Sequence, residues 1–358
     1  MRVVIVAGGT GGHFYPGLAV ARELLSSRAE VSFVIKRGDY VLPLLRREKI
    51  PFYSISAGGF NRRFDLKNFL VPFKLIAGII QSFQIFHQEK PDALLVMGGY
   101  LSVAPALVAR LIRIPVILHE QNVVPGLANR LLSRLASRVA VSFPTSLPLF
   151  GKKAILTGNP VRREFTNLPP STAARQKWGL DASKLTLLIF GGSLGAHRLN
   201  QLAVEAIEQL PSYADRFQIL HITGASDVTW VRQRYEKTPF GFYVDSYCHD
   251  MPSAYAASDL VIGRAGASTV TELMVVRKPA IFVPYPLATG GHQTANAKVL
   301  ADAGKARVYE QRDLNRGELK NILEGLMKQP SDWQGWVKKT DPLPVDPARA
   351  AAAIAEME

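Results

Sequence analysis

Short apolar runs rich in β-branched residues alternate with longer amphipathic stretches through the first half of the chain. Such runs, bounded by turn residues, predict buried strands at Val3–Val6, Val31–Ile35, Ala93–Val96, Pro115–Leu118 and Val139–Val141. The stretches between them predict helices at about 14–27, 66–88, 101–113 and 126–136. Strands and helices that alternate in this way form right-handed crossovers, so the pattern predicts a parallel sheet covered by helices on both faces.

The same pattern restarts in the second half. It predicts strands at Leu185–Phe190, Phe217–Ile222, Phe242–Val244, Leu260–Ile262 and Ala280–Val283. Helices are predicted at about 197–210, 227–236, 268–276 and 292–303. Each half opens with a strand, a glycine-rich turn and a helix, which indicates an α/β protein of two doubly wound, Rossmann-like domains.

Proline and glycine interrupt the pattern at Thr157-Gly158-Asn159-Pro160, where we expect the seam between the domains. The predicted domains are residues 1–161 and 162–341. An alanine-rich helix follows Pro342-Leu343-Pro344, and this last segment, 342–358, can pack back on either domain, with the first favoured. The length of 358 residues fits two domains.

The composition excludes several classes of protein. A single cysteine, Cys248, rules out a disulfide framework and a four-cysteine zinc site. The first apolar stretch, Val3–Ala7, runs directly into glycines, unlike a signal peptide. The most apolar window, Phe69–Phe86, is interrupted by lysine and glutamine, which argues against a transmembrane helix. We therefore expect a soluble protein of a reducing compartment.

The charge is unevenly distributed. The net charge is +14, and residues 1–161 contain 20 Lys and Arg against 8 Asp and Glu. This imbalance indicates an anionic partner for the first half: nucleic acid, an acidic membrane surface or a phosphorylated substrate. Apolar side chains between Phe69 and Phe86 cover more than one helical face and adjoin Arg62, Arg63, Lys67 and Lys74. That combination is typical of a helix on a membrane surface, although a fully buried helix would show the same apolar positions.

Two glycine-rich turns are candidate phosphate sites, because glycine lets backbone N–H groups approach an anion at a helix N-terminus. They are Gly8–Gly12 and Gly191–Gly195, and neither follows the Gly-x-Gly-x-x-Gly pattern of dinucleotide-binding proteins. Lys36-Arg37 ends the second strand where an NAD-binding protein would have an acid. An NADP-dependent reductase and purely structural turns therefore both stay open, but two matching turns favour a phosphorylated ligand.

Candidate catalytic groups follow the strands of the first half. His13 comes directly after the first glycine turn, where it can act as a general base or merely cap the helix. In His119-Glu120-Gln121-Asn122, after another strand, Glu120 or Asn122 can bind hydroxyl groups. The chain contains neither His-Glu-x-x-His nor Asp-x-Asp, so no motif for a zinc hydrolase or a metal–diphosphate site is visible.

Candidate ligand groups also follow the strands of the second half. Ser268 is predicted to cap the helix after Gly263-Arg264-Ala265-Gly266, and Glu272, one turn later, can accept two hydrogen bonds from a ribose diol. Gln293, at the start of the next helix, offers a donor and an acceptor for sugar hydroxyls. Solvated helix starts would explain both segments equally well.

Taken together, these motifs resemble the MurG family, the UDP-N-acetylglucosamine:undecaprenyl-diphospho-muramoylpentapeptide N-acetylglucosaminyltransferases of bacterial cell-wall synthesis. The resemblance covers nearly the whole chain. It rests on Gly8-Gly9-Thr10-Gly11-Gly12-His13, Met97-Gly98-Gly99-Tyr100, His119-Glu120-Gln121-Asn122, Gly158-Asn159-Pro160-Val161-Arg162, Gly191-Gly192-Ser193, Arg264 to Glu272, and His292-Gln293-Thr294-Ala295-Asn296. Each piece is common, but the ordered set is highly specific.

The resemblance implies a GT-B fold with an inter-domain cleft, no cofactor and no required metal. The implied reaction moves N-acetylglucosamine from UDP to the 4-hydroxyl of the muramoyl sugar of lipid I, inverting the anomeric centre and giving lipid II. The first domain would bind the acceptor and dock on the cytoplasmic face of the cell membrane, and the second would bind the donor. Cell-wall synthesis or division proteins are expected partners from the family only.

The resemblance also assigns roles to residues. Arg162 and the Ser193 loop would face the diphosphate, Glu272 the ribose and Gln293 the sugar. Other expected substrate-binding positions are Thr10, Gly11, Gly12, Asn122, Ala267, Ser268, Thr269 and Cys248, the last through its backbone at the uracil edge. His13 is the favoured base and Glu120 the reserve. Leu194 and Gly290-Gly291 depart from the family pattern in loops on the donor side.

Other functions stay open on the residues alone. A related glycolipid transferase would use another acceptor, and a UDP-sugar epimerase of similar fold would need none. An NADP-dependent reductase would be indifferent to UDP. A non-catalytic membrane adaptor is the least favoured reading, because it would leave both glycine turns without a ligand.

Overall fold

The computed structural model describes residues 1–58, 69–337 and 347–357 of the chain. These residues form two compact units, one comprising Met1–Arg162 with Pro344–Glu358 and the other Arg163–Leu343. Each unit is built around its own parallel sheet. The predicted α/β class with two doubly wound, Rossmann-like domains is confirmed.

The sheet of the first unit has the strand order β3-β2-β1-β4-β5-β6-β7, and all of its strand pairs are parallel. Its strands are β1 (Arg2–Val6), β2 (Glu30–Lys36), β3 (Phe52–Ile55), β4 (Ala93–Val96), β5 (Val116–Glu120), β6 (Arg138–Val141) and β7 (Ala154–Leu156). The helices between them are α1 (Gly11–Ser26), α2 (Leu42–Arg47), α3 (Val71–Glu89), α4 (Val103–Leu111), α5 (Leu127–Leu135) and α6 (Leu147–Phe150).

The sheet of the second unit is also parallel, in the order β10-β9-β8-β11-β12-β13. Its strands are β8 (Leu185–Phe190), β9 (Phe217–Ile222), β10 (Gly241–Asp245), β11 (Leu260–Gly263), β12 (Ala280–Phe282) and β13 (Ala306–Val308). Its helices are α7 (Ser171–Lys177), α8 (His197–Ile207), α9 (Val228–Tyr235), α10 (Met251–Ala257), α11 (Ala267–Val276), α12 (His292–Asp302), α13 (Arg316–Lys328) and α14 (Pro330–Gln334). The last helix of the chain, α15 (Pro347–Ala355), packs on α1 in the first unit.

Apolar side chains fill both faces of the first sheet. On one face Ile5 and Phe14 share a core with Ile354 of α15. On the other face Val6 and Leu118 pack with Phe86 of α3. Strands covered on both faces have no solvent side, which is why their sequences form apolar runs rather than alternating patterns.

The structure corrects the predicted start of the first helix. Helix α1 begins at Gly11 rather than near residue 14, because Thr10 is already extended at its N-cap (φ −148°, ψ 153°) and the chain turns helical immediately afterwards. Gly11 and Gly12 thus belong to the first helical turn rather than to the loop. The part of the predicted 66–88 helix before residue 69 and the segment Pro342–Pro344 lie outside the described residues.

Helix α3 carries an apolar surface that faces solvent. Its outward side chains are 51% to 70% exposed and comprise Phe69, Phe73, Ile76, Ile80 and Phe83, the first of them just before the helix begins. The opposite face buries Gly78, Ser82, Ile85 and Phe86. The alternative of a fully buried helix is therefore wrong for the described part. No helix in the described ranges has both the length and the apolar content required to span a bilayer.

Candidate active site

The strand orders locate the candidate site of each unit. The chain reverses direction across the sheet between β1 and β4 in the first unit and between β8 and β11 in the second. Open α/β sheets bind ligands at the carboxyl ends of the strands that flank such a switch point. The glycine turns follow β1 and β8, so both stand at this position.

A buried aspartate holds the first glycine turn. The Gly9 N–H donates to Asp39 Oδ2 at 2.7 Å, and a side-chain carbon at Gly8 would lie 2.5 Å from the same oxygen. Asp39 also accepts from the Val41 N–H at 3.3 Å. Our sequence analysis missed Asp39, although its position just after β2 at the same sheet edge is a usable indication.

His13 is the third residue of α1 and lies against the loop after β4. Its Nδ1 is 3.0 Å from the Thr10 hydroxyl. A side-chain carbon at Gly99, which has φ +76°, would lie 3.4 Å from Cε1 of the imidazole, an ordinary van der Waals distance. The ring therefore lies between the start of α1 and the Gly98-Gly99 loop.

Glu120 is fully buried at the end of β5 and is surrounded by amide donors. Its Oε1 accepts from the Asn122 backbone N–H at 2.8 Å and from Asn122 Nδ2 at 3.2 Å, and its Oε2 accepts from Asn129 Nδ2 at 2.7 Å. Burial raises the pKa of the Glu120 carboxyl to about 7, and the hydrogen bonds oppose this shift. These contacts are suited to holding loops in place.

His119 connects β5 to the segment before the boundary between the units. Its Nε2 is 3.3 Å from the Gly158 carbonyl oxygen and its Nδ1 is 3.1 Å from Gln121 Nε2, which also donates to the Met97 carbonyl at 2.8 Å. Burial lowers the pKa of His119 to about 4, so the ring is neutral near pH 7. A neutral ring that donates from Nε2 and accepts at Nδ1 satisfies both contacts.

Arg162 ends the first unit and stacks on helix α1. Its guanidinium carbon lies 4.4 Å from the centroid of the Tyr15 ring, a cation–π contact. Tyr15 is in the second turn of α1, so the Arg162 charge is held near the helix start that carries His13.

The second glycine turn is pressed against the end of β9. A side-chain carbon at Gly195 (φ +77°) would lie 2.2 Å from the Thr223 carbonyl oxygen, so only glycine fits. Asn200 Nδ2 donates to the same carbonyl at 2.8 Å. Ser193 at the tip of the turn is exposed, and the neighbouring Leu194 is 87% exposed.

The start of α11 corrects one prediction. Gly266, not Ser268, is the N-cap, because the chain is extended at Gly266 (φ −61°, ψ 148°) and becomes helical at Ala267. Ser268 lies in the first turn, and its buried Oγ has no hydrogen-bond partner among the described residues. An unsatisfied hydroxyl at a helix N-terminus marks a place where a ligand acceptor would be stabilised.

Two further predicted site residues of the second unit are fixed by neighbours. Tyr255 donates its hydroxyl to Glu272 Oε2 at 3.0 Å, and the Tyr255 ring packs edge-on against Phe190 at the end of β8. Gln293 Oε1 accepts from the Tyr285 N–H at 2.8 Å, which orients the amide at the start of α12.

Buried Arg264 connects the loop after β12 to Gln311. Its guanidinium donates to the Val283 and Pro284 carbonyls at 2.8 and 3.0 Å and to Gln311 Oε1 at 2.6 Å. Burial lowers its pKa to about 10, so it stays charged near pH 7. Arg264 therefore supports the loop after β12.

The predicted residues form one group in each unit, with one outlier. In the first unit, Thr10 to His13 follow β1, Glu120 and Asn122 lie at the end of β5, and β4 separates these two strands. Arg162 reaches α1. In the second, the carboxyl ends of adjacent strands β8, β11 and β12 carry Ser193, Ala267, Ser268, Thr269, Glu272 and Gln293. Buried Cys248 follows the edge strand β10, two strands from β8. Within the described ranges, no three His, Cys, Asp or Glu side chains are grouped closely enough to hold a metal ion.

The two doubly wound domains, each with a glycine turn at its switch point, have the architecture of the GT-B fold class. The glycosyltransferase family 28 N-terminal domain matches residues 3–141, and the family 28 C-terminal domain matches residues 186–340.

Relatives of known name match over most of their length. A UDP-N-acetylglucosamine–N-acetylmuramyl-(pentapeptide) pyrophosphoryl-undecaprenol N-acetylglucosamine transferase of Coxiella burnetii is 37% identical, covering 90% of this chain and 88% of the relative. The transferase of the same name from Desulfitobacterium hafniense is 38% identical, covering 92% and 91%. The crystal structure of Acinetobacter baumannii MurG is 32% identical with a TM-score of 0.75, covering 99% and 98%. The chain belongs to the MurG family of glycosyltransferases, within glycosyltransferase family 28.

Another structural match shares the fold alone. A UDP-GlcNAc 2-epimerase from Neisseria meningitidis, solved with UDP-GlcNAc bound, has a TM-score of 0.70 at 15% identity, covering 99% of both chains. The same architecture thus occurs in an epimerase, and fold alone does not separate it from a transferase.

Proposed function

We propose that this enzyme transfers N-acetylglucosamine from UDP-N-acetylglucosamine to the 4-hydroxyl of the muramoyl sugar of lipid I, with inversion, and so forms lipid II for peptidoglycan. The observation that carries the proposal is the match of about nine-tenths of the chain to transferases named for this reaction. The alternatives are a related glycolipid transferase and a UDP-sugar epimerase.

The second unit holds the donor in this proposal. The Ser193 turn and the first turn of α11 present N–H groups and the Ser268 hydroxyl to the diphosphate, while Glu272 accepts from the ribose hydroxyls. Gln293 contacts the sugar, and backbone groups near Cys248 contact the uracil. The leaving UDP is an anion, and N–H groups and helix N-termini stabilise its developing charge, assisted by the Arg162 guanidinium.

His13 is the proposed general base. Histidine is the side chain whose ordinary pKa lies closest to neutrality, so an imidazole at this position suits acceptance of a proton as the sugar hydroxyl attacks. The Thr10 hydroxyl is in contact with its Nδ1, and the backbone at Gly99 faces the ring. Glu120 is fully buried behind three amide donors, which favours it as a support and not as the base.

The first unit binds the acceptor in this proposal and docks on the cytoplasmic face of the cell membrane as a peripheral protein. The outward face of α3 offers five exposed apolar side chains. Neighbouring α4 and α5 add exposed Leu111 and Leu127 together with Arg110 and Arg130. Apolar side chains among cations suit an anionic bilayer, and the charge excess of residues 1–161 agrees with this surface.

UDP release from UDP-N-acetylglucosamine tests the proposal. The assay contains detergent and EDTA and is run with and without a lipid I analogue. Release that requires the analogue and survives EDTA is the expected result. Release without the analogue, or conversion of the donor to an epimer, would favour the epimerase. Donor binding without acceptor-dependent release would indicate another acceptor.

A further inference from the structure

One buried amide connects the loops that follow β4 and β5. Asn129 of α5 is 4% exposed. Its Oδ1 accepts from the Gly99 N–H at 3.1 Å, and its Nδ2 donates to Glu120 Oε2 at 2.7 Å. A displacement of this side chain therefore disturbs both loops.

The loop after β4 closely fits the Asn129 side chain. A side-chain carbon at Gly98 would lie 2.5 Å from Asn129 Oδ1, and Gly98 and Gly99 have φ values of +89° and +76° that favour glycine. A side-chain carbon at Gly99 would lie 3.4 to 3.9 Å from atoms of the His13 ring, so the backbone at Gly99 faces the imidazole. Gly99 thus stands between Asn129 and His13.

We propose that Asn129 is a positioning residue for sugar transfer, which holds the Gly99 backbone against His13 and the Glu120 carboxylate in register with Asn122. The inference rests on the proposed function, because it assigns Asn129 a part in that reaction. Asn129 acts through its neighbours.

The two hydrogen bonds require one acceptor and one donor at position 129. Asn129→Asp supplies two acceptors, so a carboxylate oxygen would face the Glu120 carboxylate. Glu120→Gln replaces one acceptor oxygen by an NH₂ group, which can face the NH₂ group of Asn129. Each single substitution therefore removes the hydrogen bond from Asn129 Nδ2 to Glu120 Oε2, and in Asn129→Asp only a proton shared by the two carboxyl groups can replace it.

The double substitution Glu120→Gln with Asn129→Asp reverses the direction of that bond. The amide at position 120 then donates to the carboxylate at position 129, while its own oxygen still accepts from Asn122. The carboxylate at position 129 still accepts from the Gly99 N–H. The hydrogen bonds that positions 120 and 129 make with each other, with Asn122 and with the Gly99 N–H are preserved, and so is the number of acidic side chains.

The test compares kcat and KM for the wild type, both single variants and the double variant. Each single variant is expected to lower kcat by about tenfold or more, with the KM for UDP-N-acetylglucosamine changed by less than about threefold. The double variant is expected to recover to within about threefold of wild type. Ser82→Ala is the matched control, since it removes another buried hydrogen bond of the first unit, from Ser82 Oγ to the Gly78 carbonyl at 2.6 Å.

A double variant that is folded by circular dichroism but no faster than the slower single variant would overturn the proposal, because the Glu120 carboxylate itself would then be required. Single variants with wild-type kcat, or a double variant that does not fold, would overturn it equally. A wild-type enzyme without acceptor-dependent transfer would instead contradict the proposed function, and this is established before the variants are compared.

Discussion

His13 lies where the first turn of α1 meets the loop after β4. As the proposed base it contributes to the rate and not to donor binding. We expect His13→Ala to lower kcat by about a hundredfold or more, with UDP affinity unchanged, as steady-state kinetics and calorimetry would measure. His87→Ala, which removes an exposed histidine at the end of α3, is the control. Near-normal turnover of His13→Ala would exclude His13 as the base.

Removal of the Ser268 hydroxyl is expected to stabilise the free protein but to weaken ligand binding. Its buried hydroxyl has no partner in the described structure, so removing it relieves an unsatisfied polar group when no ligand is bound. We expect Ser268→Ala to raise the Tm of the free protein slightly and to weaken UDP binding by about tenfold. Thermal unfolding with and without UDP measures both effects. A variant that is less stable when free but binds UDP normally would contradict a ligand contact.

Glu120 makes stability depend on pH. Its carboxyl pKa rises from the ordinary 4.5 to about 7 through burial, so the folded state retains the proton over this interval and the unfolded state releases it. The stability that this proton provides is complete below pH 4.5 and is lost as the pH rises to about 7.

Comparison with Glu120→Gln isolates this effect. The free energy of unfolding of the wild type, relative to the variant, should fall by up to about 3 kcal/mol across this interval and stay constant above it. Denaturant titrations at a series of pH values measure the difference. A difference that does not vary with pH would contradict the raised pKa.

The outward face of α3 has its own prediction. We expect Phe73→Ser and Ile80→Ser each to weaken binding to anionic vesicles by about tenfold, because each removes an apolar side chain from the interface. UDP affinity should not change. Leu149→Ser, which replaces an equally exposed apolar side chain away from α3, is the matched control. Vesicle binding that is unaffected by both α3 substitutions would remove this face from the docking surface.

The strands that sequence patterns missed are β3, β7 and β13, and each is at the edge of its sheet. Edge strands are covered less completely, so they need no continuous apolar run. Strand β7 is only partly buried along its length, and β13 carries an exposed arginine. Central strands such as β4 and β8, buried on both faces, were predicted with their observed limits.

The residues of the candidate site also differ in whether the sequence reveals them. Glycine turns and polar residues after apolar strands are visible in sequence, because strand ends and turns are local features. Asp39, Asn129 and Tyr255 were missed, since single polar residues gain their role only when the fold brings them to a distant loop. The Ser268 cap was wrong for a related reason: a backbone turn at Gly266 can begin a helix without a capping side chain.

At the scale of the whole molecule, the chain forms two units of the same architecture, and its last helix packs on the first unit. Ile354 and Met357 join the core of the first unit beside α1. Both units carry a glycine turn at the switch point of their sheet. One unit is proposed for the acceptor and the other for the donor, so the central claim is that both substrates are required.

The most direct measurement is mass spectrometry and NMR of the acceptor after incubation with UDP-N-acetylglucosamine in EDTA. We expect the lipid I analogue to gain one N-acetylhexosamine on the muramoyl 4-hydroxyl, with a β anomeric coupling that shows inversion. An unmodified acceptor, from a folded protein that binds UDP, would contradict the proposed transfer.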